Sequence, residues 1–207
     1  MKNLLVHGCY DRATFKTLND LGIKEFGFDL RPKSSNLITL KELNSLLKDI
    51  NVDKVFLTFE NDSLNTIFSF LDLLKNSASE LVLEFRDQQS VNFYYDLNRP
   101  FVWMFHPSAD WRSILTLPKL KAVLLPLRWQ SFYQFHPDLW NLIDQQNLKV
   151  YLHADTLQEA FDLRDTRDIF LSVDLTSEIE TAYRCVDQQR LSKLKIWSSF
   201  NESSSGQ

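Results

Sequence analysis

Glycine is nearly missing from this chain. Of 207 residues only four are glycine, and one of them, Gly206, lies in the polar end segment Glu202-Ser-Ser-Ser-Gly-Gln. Gly8, Gly22 and Gly27 remain for a folded body. Loops that cradle phosphate use glycine because backbone N–H groups must approach the anion closely, often at positive φ. A chain this poor in glycine has few places to build one. Cysteine is scarce as well: Cys9 and Cys185 lie far apart, so reduced thiols and a cytoplasmic setting are expected rather than a disulfide framework. No signal peptide is expected ahead of the first strand. No apolar run approaches the ~18 residues of a membrane span. Excess positive charge is absent too, the net charge being -4 with both signs interspersed. Neither a membrane nor a nucleic acid is therefore expected as partner.

What the chain does have is core: 44% of its residues are hydrophobic, enough for one domain without staples. Short apolar runs alternate with helix-length amphipathic segments, the pattern of an α/β fold with a parallel sheet. Strands are expected at Asn3–Val6, Glu25–Phe28, Lys54–Phe59, Glu80–Phe85, Phe101–Phe105, Lys121–Leu125, Lys149–Leu152 and Asp168–Val173. Apolar residues at helical spacing predict helices over Arg12–Leu21, Leu40–Lys48, Ser63–Lys75 and Thr156–Leu163, the last capped by Asp155 or Thr156. Eight strands repeating roughly every 25 residues suit a single (β/α)8 TIM barrel. It would occupy residues 1–200, leaving 201–207 as a polar tail expected to be disordered. An open doubly wound sheet would show the same periodicity.

Residues 5 to 39 carry a family likeness. Leu5-Val-His-Gly-Cys, then Gly27-Phe28 and Pro32-Lys-Ser-Ser-Asn-Leu-Ile resemble the first units of phosphoribosylanthranilate isomerase, a tryptophan-pathway barrel. That family reads Lys-Ile-Cys-Gly, Gly-Phe and Pro-Lys-Ser-x-Arg-Tyr-Ile at matching spacing. Lys149-Val-Tyr-Leu-His-Ala-Asp155 and Ser172-Val-Asp-Leu-Thr-Ser-Glu-Ile-Glu180 resemble its seventh and eighth strands. Between about Asn61 and Leu148 only the strand order aligns. The resemblance implies a β/α barrel with its site at the C-terminal strand ends. It also implies an Amadori rearrangement driven by a cysteine base and an aspartate acid.

Position by position, the parts differ. His7 stands where the cysteine would be, and histidine is a competent base near neutral pH. Pro126 follows Ala122-Val-Leu-Leu125 where the acid would be. Asn36 replaces an arginine, Leu83-Glu-Phe-Arg86 replaces Gln-Leu-His-Gly, and Ala154-Asp155 replaces a Gly-Gly phosphate loop. Asp155 would put a carboxylate beside the phosphate, and at 4 Å two like charges repel by about 4 kcal/mol at an effective dielectric of 20. The expected function is accordingly a degenerate isomerase-like barrel, a pseudoenzyme without the isomerase activity, acting by binding a small polar ligand or a protein. The alternatives are a barrel enzyme with changed chemistry using His7 and Asp174, or a retained isomerase.

Candidate catalytic residues are His7 and Asp174. Candidate ligand-binding residues are Asp29, Arg31, Asn36, Arg86, Arg128, His153, Asp155 and Ser177. His7, His106, His153 and Asp174 fall at strand ends and would suit a zinc-type ion, but no tight ligand spacing accompanies them. No metal or cofactor is expected. Glu60 joins the candidate charges at the mouth in mixed-sign pairs, which bind a ligand or plug a former site. Cys9 is either a nucleophile activated by His7 or a buried structural thiol. The rings between Trp129 and Trp140, where a glycine-rich loop would be, are expected to fill the pocket, with an exposed interaction patch as the alternative.

Overall fold

The computed structural model describes residues 4–49, 52–75, 79–156, 158–159, 170–175, 180–182 and 185–192. Parallel strands close on themselves in chain order: β1 (Leu4–His7), β2 (Glu25–Asp29), β3 (Lys54–Phe59), β4 (Glu80–Phe85), β5 (Phe101–Met104), β6 (Leu120–Pro126), β7 (Lys149–Ala154) and β8 (Phe170–Asp174). Closure runs through β1 and β8, where Leu4 to His7 pair with Leu171 to Asp174. The expected barrel is present, and the open sheet is excluded. Around it lie α1 (Arg12–Asp20), α2 (Leu40–Asp49), α3 (Leu64–Leu74), α4 (Val91–Leu97), α5 (Trp111–Leu115), α6 (Gln130–Phe135) and α7 (Pro137–Gln145). After β8 come an antiparallel pair, β9 (Glu180–Ala182) and β10 (Cys185–Val186), and α8 (Gln188–Ser192). The sequence pattern had not suggested that pair. Ser177, most of Thr156–Leu163, the expected start of β8 at Asp168 and the 201–207 tail lie outside the described residues. Among the described residues no helix is long and apolar enough to cross a membrane.

Strand alternation sorts the core into two layers. Leu5, Phe56, Val82, Val102, Met104, Leu124 and Tyr151 fill the barrel interior. Their chain neighbours Val6, Val55, Leu57, Leu83, Trp103 and Val123 face outward to the helices. The floor, at the N-terminal strand ends, is polar. The Tyr151 hydroxyl donates to Glu25 at 2.9 Å, and Lys149 Nζ lies 3.5 Å from the same carboxylate and over the Phe170 ring.

Scarce glycine is offset by asparagine. Asn61, Asn98 and Asn147 take positive φ at turns, which asparagine tolerates better than most residues. Helix starts carry side-chain caps. Asp11, Ser63 and Ser90 accept N–H bonds three residues on. Thr39 with Glu42, and Thr156 with Glu159, form reciprocal capping boxes.

Candidate functional site

The same alternation carries polar side chains to the C-terminal end of the interior. His7 follows Leu5 on β1, Glu84 follows Val82 on β4, His153 follows Tyr151 on β7, and Asp174 follows Ser172 on β8. His7 and Asp174 are in register on neighbouring strands. The ring of His7 lies over Gly27, its register partner on β2. A Cβ built on Gly27 would sit 1.9 Å from His7 Nδ1. Gly27 is thus needed for close approach, not for an unusual φ.

Glu84 organises the mouth. It is fully buried at 0% exposure, and Arg86 Nε donates to its Oε1 at 2.6 Å, with the Thr58 hydroxyl at 3.3 Å. Its other oxygen, Oε2, lies 3.5 Å from His7 Nε2, and neither of these two buried atoms makes a hydrogen bond among the described residues. Arg86 then leans across to Asp174, where Nη1 and Oδ2 are 4.0 Å apart. Beside this chain, His153 Nδ1 shares a hydrogen bond with the Ser172 hydroxyl at 3.0 Å. Its ring meets His7 edge-on, with centroids 5.9 Å apart.

Electrostatics fix the protonation. Burial, reinforced by the charge of Arg86, pushes His7 well below its ordinary pKa against the opposing pull of Asp174 and Asp29. Burial, Arg86 and His7 do the same to His153. Both shifts favour the neutral rings near pH 7, so the His7–Glu84 contact is not an ion pair. On β2, burial opposes ionisation of Asp29, yet hydrogen bonds from Arg31 and Ser34 hold it below the usual carboxylate range.

Other candidates lie elsewhere. Arg128 and Asp155 pair at 3.2 Å on the exposed rim, so the Asp155 charge is already countered, in a contact worth only about 0–1 kcal/mol. Asn36 is buried in the loop after β2, its N–H donating to Ser34 Oγ at 3.1 Å. His106 does not join His7 and His153; it bonds Gln88 and Ser108 instead. Among the described residues no three His, Cys, Asp or Glu side chains are placed to hold a metal ion. Cys9 is a buried thiol of the outer core, its pKa raised by burial, then by Asp11 and Asp174. Its burial fits the structural alternative.

The aromatic segment corrects a second expectation. Its rings do not fill the mouth. Phe132 and Tyr133 pack outside the barrel on Phe105, with centroids 5.4 Å away, because Phe105 faces the helical layer. A cavity of about 460 Å³ opens on that flank, lined by Leu127, Arg128, Tyr133, Trp140 and Leu152 among others. Phe135 stands 78% exposed nearby. What occupies the mouth is charge. Glu84, the residue sequence reasoning passed over, had one signal: an acid at an inward position of an otherwise apolar strand.

The closed barrel and the polar groups at its C-terminal strand ends define a (β/α)8 protein of the kind whose sites lie at that face. Over 189 residues the chain is 25% identical to the N-(5'-phosphoribosyl)anthranilate isomerase of Legionella pneumophila, which covers 86% of this chain and 88% of that protein. The phosphoribosylanthranilate isomerase of Thermotoga maritima matches with a TM-score of 0.71 at 14% identity, over 97% of this chain and 99% of that one. The enzyme from Thermus thermophilus matches with a TM-score of 0.66 at 16% identity, over 96% and 99%. No protein-family model matches the chain. The chain is a closed (β/α)8 barrel similar in sequence and in fold to phosphoribosylanthranilate isomerases.

Proposed function

We propose that this barrel has lost the isomerase reaction and acts in the cytoplasm by binding a small polar ligand at its mouth. One observation carries the reading: Arg86, the guanidinium at the centre of the mouth, is already engaged by both Glu84 and Asp174, so it is not open to a phosphate. Carboxylates also outnumber guanidiniums in the pairs there, with Asp29, Glu84 and Asp174 against Arg31 and Arg86. Pro126, buried at the end of β6, has no proton to give where the similar isomerases are expected to hold their acid.

The test is the fluorescence decay of phosphoribosylanthranilate with purified protein, beside a His7→Ala control. The expected result is decay at the uncatalysed rate. Turnover that His7→Ala abolishes would overturn the proposal. The His7–Glu84 contact favours one second reading, a changed proton-transfer chemistry in which His7 is the base.

A further inference from the structure

His7 and Glu84 are buried together, with Nε2 and Oε2 facing each other at 3.5 Å and neither atom hydrogen-bonded among the described residues. Glu84 is an acceptor toward Arg86 and Thr58. Arg86 keeps its charge, and an imidazole facing the carboxylate that pairs with it is favoured with its proton on Nε2, toward the negative charge 3.5 Å away. A neutral imidazole carries one N–H, which leaves Nδ1 bare. Nδ1 occupies the space above Gly27 that any side chain at that position would fill.

We propose that Glu84 is a positioning residue that holds His7 in its Nε2–H form, so that Nδ1 accepts a hydrogen bond from a hydroxyl or ammonium group of a non-phosphorylated ligand. The inference rests on the mouth being a ligand site and adds the docking atom and the ligand's chemistry. The groups around His7 agree on the sign. Asp29 and Arg31 pair at the end of β2, and Glu84 and Arg86 pair at the end of β4. Asp174 on β8 shares Arg86 with Glu84, so three carboxylates face two guanidiniums, and burial holds His153 on β7 toward its neutral form. A donor bearing no negative charge therefore suits the place, and a phosphate ester does not.

Nitrogen-15 NMR of the full chain labelled in histidine reads the tautomer directly. The expected spectrum puts the His7 proton on Nε2 and Nδ1 in the unprotonated range. A proton on Nδ1 would overturn the inference. In Glu84→Gln the side-chain amide donates as readily as it accepts, so the Nε2–H preference should be lost; an unchanged tautomer would again overturn it. The wild-type spectrum decides even where that variant does not fold. Methylammonium and methyl phosphate at matched concentration then test the ligand class. Methylammonium should shift the Nδ1 resonance and methyl phosphate should not; the reverse order, or no shift with either, would sink this part. None of these readouts depends on the isomerase assay, so the two proposals fail separately.

Discussion

His7 has room for its ring because position 27 carries no side chain. In Gly27→Ala the new methyl would meet Nδ1 at 1.9 Å, and both groups are buried. Alanine in place of a strand glycine gains about 0.5–1 kcal/mol of backbone entropy, while overpacking a filled interior costs about 1–3 kcal/mol. The clash wins. Gly27→Ala should therefore lower stability in urea unfolding, and the His7 ring should leave Glu84, read as a change in its NMR tautomer. A gain in stability would mean that the ring moves aside freely. Much of this site was legible residue by residue: His7, Asp174, Arg86 and His153 stand at strand ends as the spacing implied. Glu84 was not. Its place opposite His7 depends on barrel closure, which brings β4 and β1 to face each other across the interior, and no local pattern encodes that contact.

At the scale of elements, capping decides where helices start and packing decides that they persist. In α2, Leu43, Leu46 and Leu47 bury one face, while the Thr39 hydroxyl and the Glu42 carboxylate satisfy each other's N–H groups. Thr39→Ala removes one half of that box at a cost of about 1 kcal/mol. The expected outcome is a lower denaturation midpoint with amide protection lost in the first turn alone. Uniform loss along α2 would show that the cap holds more than its own turn. Element positions were mostly readable from hydrophobic period. Strand ends were not: β1 runs on to His7, β6 to Pro126 and β7 to Ala154, because pairing with a neighbour extends the ladder past the last apolar residue. The β9–β10 pair, with three and two residues, carries too little pattern to read.

Across the whole molecule, the two mouth histidines tie stability to pH. Both have folded pKa values below the ordinary one. Below about pH 6.5 the unfolded chain takes up protons that the folded chain refuses, so stability must fall as pH falls. Each group costs up to about 1.4 kcal/mol per pH unit in that window. Thermal unfolding followed by circular dichroism should give a midpoint that is steady above pH 7 and declines from about 6.5 toward 5. His153→Gln should reduce the slope by roughly half, and a flat profile in the wild type would contradict burial of the neutral rings. The His7–Glu84 contact also bears on which substitutions the mouth tolerates. A cysteine at position 7 would leave buried Glu84 Oε2 with no imidazole facing it; removing Glu84 alone would take from Arg86 the carboxylate its Nε donates to, and from His7 Nε2 the oxygen opposite it. Either single step is expected to lower stability, so the two positions are exchanged more cheaply together than one at a time.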